Sequence, residues 1–381
     1  MDPVYLDHNA TTPLLPEVVD AMLPYLREHF GNPSSGHVYG VRAREAVARA
    51  RAEVAALLGC DADEVLFTSG GTEANNLAIR GTTEALTKKR HVVTTVIEHP
   101  ATARPCAWLE AHGWRVTRLG VDAGGRAMLD EAHASIDERT ALVSVMHSNN
   151  ETGVLQPVAE LAALARAAGA LVHTDAAQSL GKVPVRVREL DVDLLSVAGH
   201  KLYAPKGVGA LYVRRGTPLV PFVLGAGHER GLRPGTENVA SVVGLGAACT
   251  ALGRDLDQAA ARMHALRELL WALLAAAVPG LALNGHEELR LPNTLNVRFP
   301  RVSGDAVLGG APEIAASTGS ACHEGHASAS AVILAMGVPA DEALGSVRLT
   351  LGRHTTEDDV SRAAEALARA WRAVSSHPPA R

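Results

Sequence analysis

Aromatic side chains are scarce in this chain, only 3% of 381 residues. A surface that stacks nucleobases needs them. The chain also has no run of Lys or Arg, and its formal net charge is -5, so nucleic-acid recognition is not expected. Long apolar runs are missing as well. The Ala-rich segments carry Arg and Glu at helical spacing, so none is expected to span a bilayer. The start, Met1-Asp2-Pro3, has neither a basic nor an apolar region, and no signal peptide is expected. Cysteine is limited to Cys60, Cys106, Cys249 and Cys322. They form no CxxC pair and no disulfide framework, which suits a reducing cytoplasm. No internal repeat and no Walker A motif is present.

What remains is the composition of an ordinary globular protein, 47% hydrophobic and 20% charged. The length exceeds what one core usually serves and predicts a large and a small domain. Helical spacing is read over 16–30 and 41–58, over 239–278, and near 357–374. Strand-like and helix-like segments alternate between 64 and 214, the rhythm of a mostly parallel sheet covered by helices. Further strands are expected at 294–299 and 348–351. The domain change is placed within 239–278.

Polar residues cluster where those strands should end, and open α/β sheets bind ligands beyond the C-terminal strand ends. The apolar run 193–197 ends at Ala198-Gly199-His200-Lys201. Read alone, Lys201 is a solvated cation. A second apolar run, 170–172, ends at His173-Thr174-Asp175-Ala176-Ala177-Gln178. A lysine to bind a carbonyl cofactor as a Schiff base and an aspartate to hold its ring nitrogen are the pair that pyridoxal phosphate (PLP) requires. Glu98-His99 and the stretch 147–153 fall at two more strand ends. After the strand 64–68 comes Ser69-Gly70-Gly71-Thr72-Glu73 and then a helix. This is an anion seat, or else simply a capped helix.

Together these stretches resemble the cysteine desulfurase and selenocysteine lyase family of the class V aminotransferase group. The matching motifs are YLDHNATTP (5–13), GNPSS (31–35), FTSGGTEANNLAI (67–79), EH (98–99), NNETGV (149–154), HTDAAQSLGK (173–182), GHKLYAPKGVGALYVR (199–214), RPGTENV (233–239), STGSAC (317–322) and VRLTLGR (347–353). They cover nearly the whole chain and are specific as a set. The resemblance implies fold-type I of the PLP enzymes. That is an α/β fold with a large domain on a mostly parallel sheet of seven-stranded type and a smaller C-terminal α+β domain. Residues 15–250 are expected to form the large domain. Residues 1–14 and 251–381 are expected to form the small one, which carries the Cys322 loop. A cytoplasmic homodimer with active sites at the subunit interface is implied.

The resemblance also implies roles. Lys201 would hold the cofactor covalently and move the substrate's α-proton. Asp175 would hold the ring nitrogen, Gln178 and Asn150 would reach the ring's phenolic oxygen region, and His99 would stack on the ring and transfer protons. The phosphate would sit on Gly71, Thr72 and the Ala198-Gly199-His200 turn, with Thr236 reaching in from the neighbouring subunit. Arg348 would pair with the substrate carboxylate, with Asn9 and Asn150 beside it. Cys322 would take the substrate's sulfur as a persulfide for a protein or small-molecule acceptor, releasing alanine. The other three cysteines are expected to be structural.

Two features depart from the pattern. Many family members carry a hydroxyl residue at the position of Ala198, and its loss should weaken the phosphate seat by about 1 kcal/mol. His323 and His326 follow Cys322 where many desulfurases have Ser or Thr, and the segment 303–317 is short. The histidines and the short segment both lean toward the selenocysteine lyase branch. Cys322, His323 and His326 fall short of a closed four-ligand zinc site, and no metal is expected. The leading expectation is a cysteine desulfurase, with selenocysteine lyase as the alternative and an aminotransferase or β-lyase, or a silent scaffold, behind both. Intact Lys201, Asp175, His99 and Cys322 weigh against the last.

Overall fold

A computed structural model describes residues 2–319 and 328–376. Cys322, His323 and His326 lie outside the described residues. In chain order the strands are β1 (Val4–Tyr5), β2 (Val65–Thr68), β3 (His91–Thr95), β4 (Arg115–Leu119), β5 (Thr140–Ser144) and β6 (Leu171–Asp175). They continue with β7 (Leu194–Ala198), β8 (Gly209–Val213), β9 (Ala282–Leu283), β10 (Thr294–Arg298), β11 (Ile314–Ala315) and β12 (Ser346–Thr350).

The main sheet has seven strands in the order β2-β8-β7-β6-β5-β3-β4. β8 runs antiparallel to both of its neighbours, and the other pairs are parallel. Strands such as TALVS (β5), LLSVA (β7) and GALYV (β8) are buried along their whole length, because helices cover both faces. With this order, the C-terminal ends of β2, β3, β5, β6 and β7 share one edge. The register pairs Asp175 on β6 with Ser196 on β7, so the turn Gly199–Lys201 leaves the sheet close to Asp175.

The apolar stretch expected as one helix over 239–278 is two, Val239–Arg254 and Leu256–Ala277, bent by 75°. The two halves serve different cores, so a straight helix could not satisfy both. Val242, Leu245, Ala248 and Leu252 pack into the core under the main sheet, against the helix Val38–Leu58. Leu266, Leu270 and Leu274 pack into a second core with Val4, Leu6, Leu295, Val347, Leu367 and Trp371. That second core lies on the three-stranded sheet β12-β10-β9 and the pair β1-β11. The last helix, Glu357–Ser375, starts on a capping box in which Thr356 and Asp359 satisfy each other's backbone N–H. No single helix among the described residues is long and apolar enough to cross a membrane.

Candidate active site

A cavity of about 370 Å³ opens where the shared strand edge meets the N-terminal segment and β12. From the strand ends it is lined by Gly71, Thr72, Asn75, His99, Asp175, Gln178, Ala198, His200 and Lys201. From the other side come Asn9, Ala10 and Arg348, with Asn150 from the loop after β5. Of the fourteen residues expected at the site, eleven line this cavity. Gly199 stands behind the wall, its N–H donating to Val208 O at 3.0 Å. Thr236 is exposed and does not line the cavity of its own chain.

Lys201 leaves β7 through a short helical turn, and its ammonium donates to Ala10 O at 2.7 Å and to Asn9 O. Burial pushes the amine down to about 8, and the nearby Arg348 guanidinium adds to the effect. A sizeable fraction of Lys201 is therefore the neutral nucleophile near neutral pH. Asp175 ends β6. Its Oδ1 accepts from Ala177 N at 2.9 Å and its Oδ2 from Asn75 Nδ2 at 2.6 Å, so both oxygens are held in place.

His99 caps the helix Pro100–Ala111. Its Nδ1 accepts from Ala101 N at 3.1 Å, which leaves the ring proton of the neutral form on Nε2. Burial lowers the His99 pKa, Lys201 lowers it further and Asp175 opposes them, so the neutral ring is favoured. His200 is pushed down to about 4, by burial first and Lys201 next.

Gly71 begins a helix after Gly70, whose φ of 150° and ψ of -177° suit glycine alone. A Cβ on Gly71 would come 3.2 Å from the Ala198 methyl, so this corner is a close-fitting cradle. The first N–H groups of the helix have no partner within it and offer an anion their donors.

Arg348 sits on β12 and is already engaged, donating from Nη2 to Asp7 Oδ1 at 2.8 Å and from Nη1 to Asn150 O at 3.0 Å. Asp7 also accepts from Ser317 Oγ at 3.2 Å. Glu151 Oε2 accepts from Ser330 Oγ at 2.6 Å. The described residues flanking 320–327 are thus tied beside Arg348 and Asn150.

Three residues at the site escaped the sequence reading. Asn75 holds Asp175 and keeps a buried Oδ1 without a partner among the described residues. Its signal was its place one helical turn after Gly71 and Thr72. Asp7 carried no signal beyond its membership of the motif at 5–13. Lys182 is 4% exposed, and its amine donates to Gln178 Oε1 at 3.0 Å and Asn9 Oδ1 at 3.1 Å. Burial pushes the thiols of Cys60, Cys106 and Cys249 up to about 12, which keeps them protonated and poorly nucleophilic. Among the described residues no group of three or more His, Cys, Asp and Glu could hold a metal ion.

The class-V aminotransferase family model matches residues 4–363. The chain belongs to the class-V aminotransferase family. Within that family, a cysteine desulfurase of Trichormus azollae is 45% identical over 369 residues, covering 96% of this chain and 92% of its own length. A cysteine desulfurase NifS of Azotobacter vinelandii is 45% identical over 365 residues, covering 95% of this chain and 91% of its own. A solved NifS-like protein superposes with a TM-score of 0.91 at 36% identity, covering 98% of this chain and 100% of that one. The structure of SspA in complex with cysteine gives a TM-score of 0.81 at 33% identity, covering 92% and 99%. The solved NifS-like protein thus shares the fold over nearly the whole chain.

Proposed function

We propose that this chain is a PLP-dependent cysteine desulfurase that converts L-cysteine to L-alanine and carries the sulfur away as a persulfide on Cys322. The observation that carries this reading is the convergence of a low-pKa Lys201, a doubly held Asp175 and a glycine-lined helix start in one cavity. The residues fit PLP. Lys201 would bind its aldehyde carbon, Asp175 its ring nitrogen, and Gly71, Thr72 and His200 its phosphate, with Gln178 near its ring oxygen. Thr236 would complete the phosphate site from a second copy of the chain in a homodimer, and Ala198 and Gly199 would shape the turn. Once bound, PLP supplies an electron sink for the pair left when the substrate's α-proton is removed.

The chain's own residues do the rest. Arg348 binds the substrate carboxylate, giving up its bond to Asp7 for a bidentate pair. Asn9 and Asn150 flank that position. Lys201 takes the α-proton as its neutral amine. The Cys322 thiolate forms a bond to the substrate sulfur while the Cβ–S bond breaks. Cβ keeps that electron pair and is protonated through His99 Nε2, which regains its proton from the medium, and Lys201 returns a proton to Cα. Free alanine leaves, and Cys322 holds one additional sulfur atom. The overall change is cysteine plus enzyme thiol to alanine plus enzyme persulfide, which balances with no outside oxidant. A sulfur acceptor, protein or small molecule, then takes the terminal sulfur and restores the thiol, as supply to iron–sulfur cluster assembly would require.

The test is the visible spectrum of the purified protein, followed by assay of alanine from L-cysteine and from L-selenocysteine. A visible band that disappears in Lys201→Ala, with alanine formed from cysteine, is expected. A protein that PLP cannot colour contradicts the reading at its first step. Alanine from selenocysteine alone would move the assignment to selenocysteine lyase.

A further inference from the structure

Lys182 is the buried amine for which the mechanism above has no use. It lies on the segment after β6, four residues beyond Gln178, and no carboxylate pairs with it among the described ion pairs. Both of its acceptors are side-chain amide oxygens, Gln178 Oε1 at 3.0 Å and Asn9 Oδ1 at 3.1 Å. Lysine only donates. An amide, in contrast, can turn over and exchange its oxygen for its nitrogen at little steric cost. A pure donor set against two amide oxygens therefore selects one orientation of each.

The consequences run into the cavity. With Oε1 held by Lys182, Gln178 Nε2 donates to Asn9 O at 2.9 Å and keeps its second N–H for the cavity that Gln178 lines. Asn9 is held likewise. Its Oδ1 also accepts from Asn293 Nδ2 at 3.2 Å, and its Nδ2 donates to Thr294 Oγ1 at 2.9 Å and Asn150 O at 3.3 Å. Asn9 O is in turn one of the two carbonyls that hold Lys201. Lys182 thus ties Gln178 to the segment that seats the Schiff-base lysine.

We propose that Lys182 is a positioning residue that locks the Gln178 and Asn9 amides, so that Gln178 presents N–H, never its carbonyl, to the ring oxygen of the cofactor. The inference rests on the cofactor reading of the cavity given above. Lys182 does this as the ammonium, which has an N–H for each amide oxygen and no lone pair to accept from an amide nitrogen. A methionine would fill the same space with no donor, so packing alone gives no reason for a lysine here.

The test compares wild type, Lys182→Met, Gln178→Leu and the double variant, each loaded with PLP, by the pH midpoint of the visible band. A donor at the ring oxygen stabilises the high-pH form, in which that oxygen's negative charge is no longer offset by a neighbouring proton. Losing the donor raises the midpoint. Asn9 O still favours the same Gln178 orientation, so Lys182→Met should raise the midpoint by about half a unit to one unit. Gln178→Leu should raise it by at least as much. The double variant should match Gln178→Leu, because Lys182 acts only through that amide. An unmoved midpoint in a folded, PLP-loaded Lys182→Met overturns the proposal, and so does a shift that persists in full in the Gln178→Leu background. If Lys182→Met does not fold, Lys182→Gln carries the test, since its amide can turn either way. It should show the upward shift, and a wild-type midpoint would refute the proposal. Failure of the cofactor reading looks different, because the wild type itself would then show no Lys201-dependent band.

Discussion

The strand-end side of the cavity and the side formed by the N-terminal segment and β12 hold their polar groups differently. On the strand-end side Asp175 and His99 are braced from behind. Asp175 is held by Asn75 and Ala177, and His99 by Ala101 N. Elsewhere the groups hold one another, within the second side and across the cavity. Arg348 pairs with Asp7, and Lys201 donates to the carbonyls of Asn9 and Ala10. On the function proposed above, the first side is preorganised for a cofactor that stays, and the second exchanges partners when a substrate carboxylate displaces Asp7 from Arg348. Substitutions on the first side should therefore damage cofactor chemistry, and those on the second should mainly damage substrate affinity.

Asp175→Asn would probe the first side most severely. It removes the charge opposite the ring nitrogen but leaves an amide of the same shape. Alanine formation should fall on the order of 10²–10³-fold at saturating cysteine. A mere rise in KM would break the distinction between the sides. Arg348→Lys comes next. It retains charge and loses the fork, so KM for cysteine should rise about 10–100-fold with a smaller change in kcat. A fall in kcat alone would place Arg348 with the first group.

Lys201 touches both sides, and its titration sharpens the comparison. The rate at which cofactor-free protein captures PLP should follow the neutral amine, rising with pH and levelling off above about 8, not near 10.5. Removing the opposing positive charge in Arg348→Met should move that midpoint upward. A midpoint near the ordinary lysine value in the parent protein would contradict the burial argument. The smallest expected effect is at the cradle. Ala198→Ser should tighten PLP by about fivefold, the worth of one hydrogen bond. No gain would mean that the added hydroxyl does not reach the phosphate.

The same contrast explains what could be read from the sequence. The strand-end residues announce themselves, because apolar runs end at Lys201, Asp175 and His99, and period and punctuation mark such ends. The mostly parallel sheet is legible for the same reason. The reversal of β8 is not, since a strand buried on both faces reads alike in either direction. The break at Asp255 was hidden because both halves of 239–278 keep apolar faces, and only the presence of two cores forces the bend. Asp7, Asn75 and Lys182 went unread because their roles are pairings across long stretches of chain. Asn75 meets Asp175 and Asp7 meets Arg348 only once the sheet is built. Lys182 looks like any lysine after a glycine turn until its burial is known.

The central claim is that sulfur leaves cysteine for Cys322 in a cavity organised by Lys201. The most direct measurement is mass spectrometry of the Cys322 peptide after the PLP-loaded protein is mixed with L-cysteine without reductant, with free alanine counted in the same sample. One added sulfur atom on Cys322, matched by about one alanine per chain and abolished in Lys201→Ala, is the predicted result. Alanine formed with Cys322 unmodified, or formed at the full rate by Cys322→Ala, would contradict it.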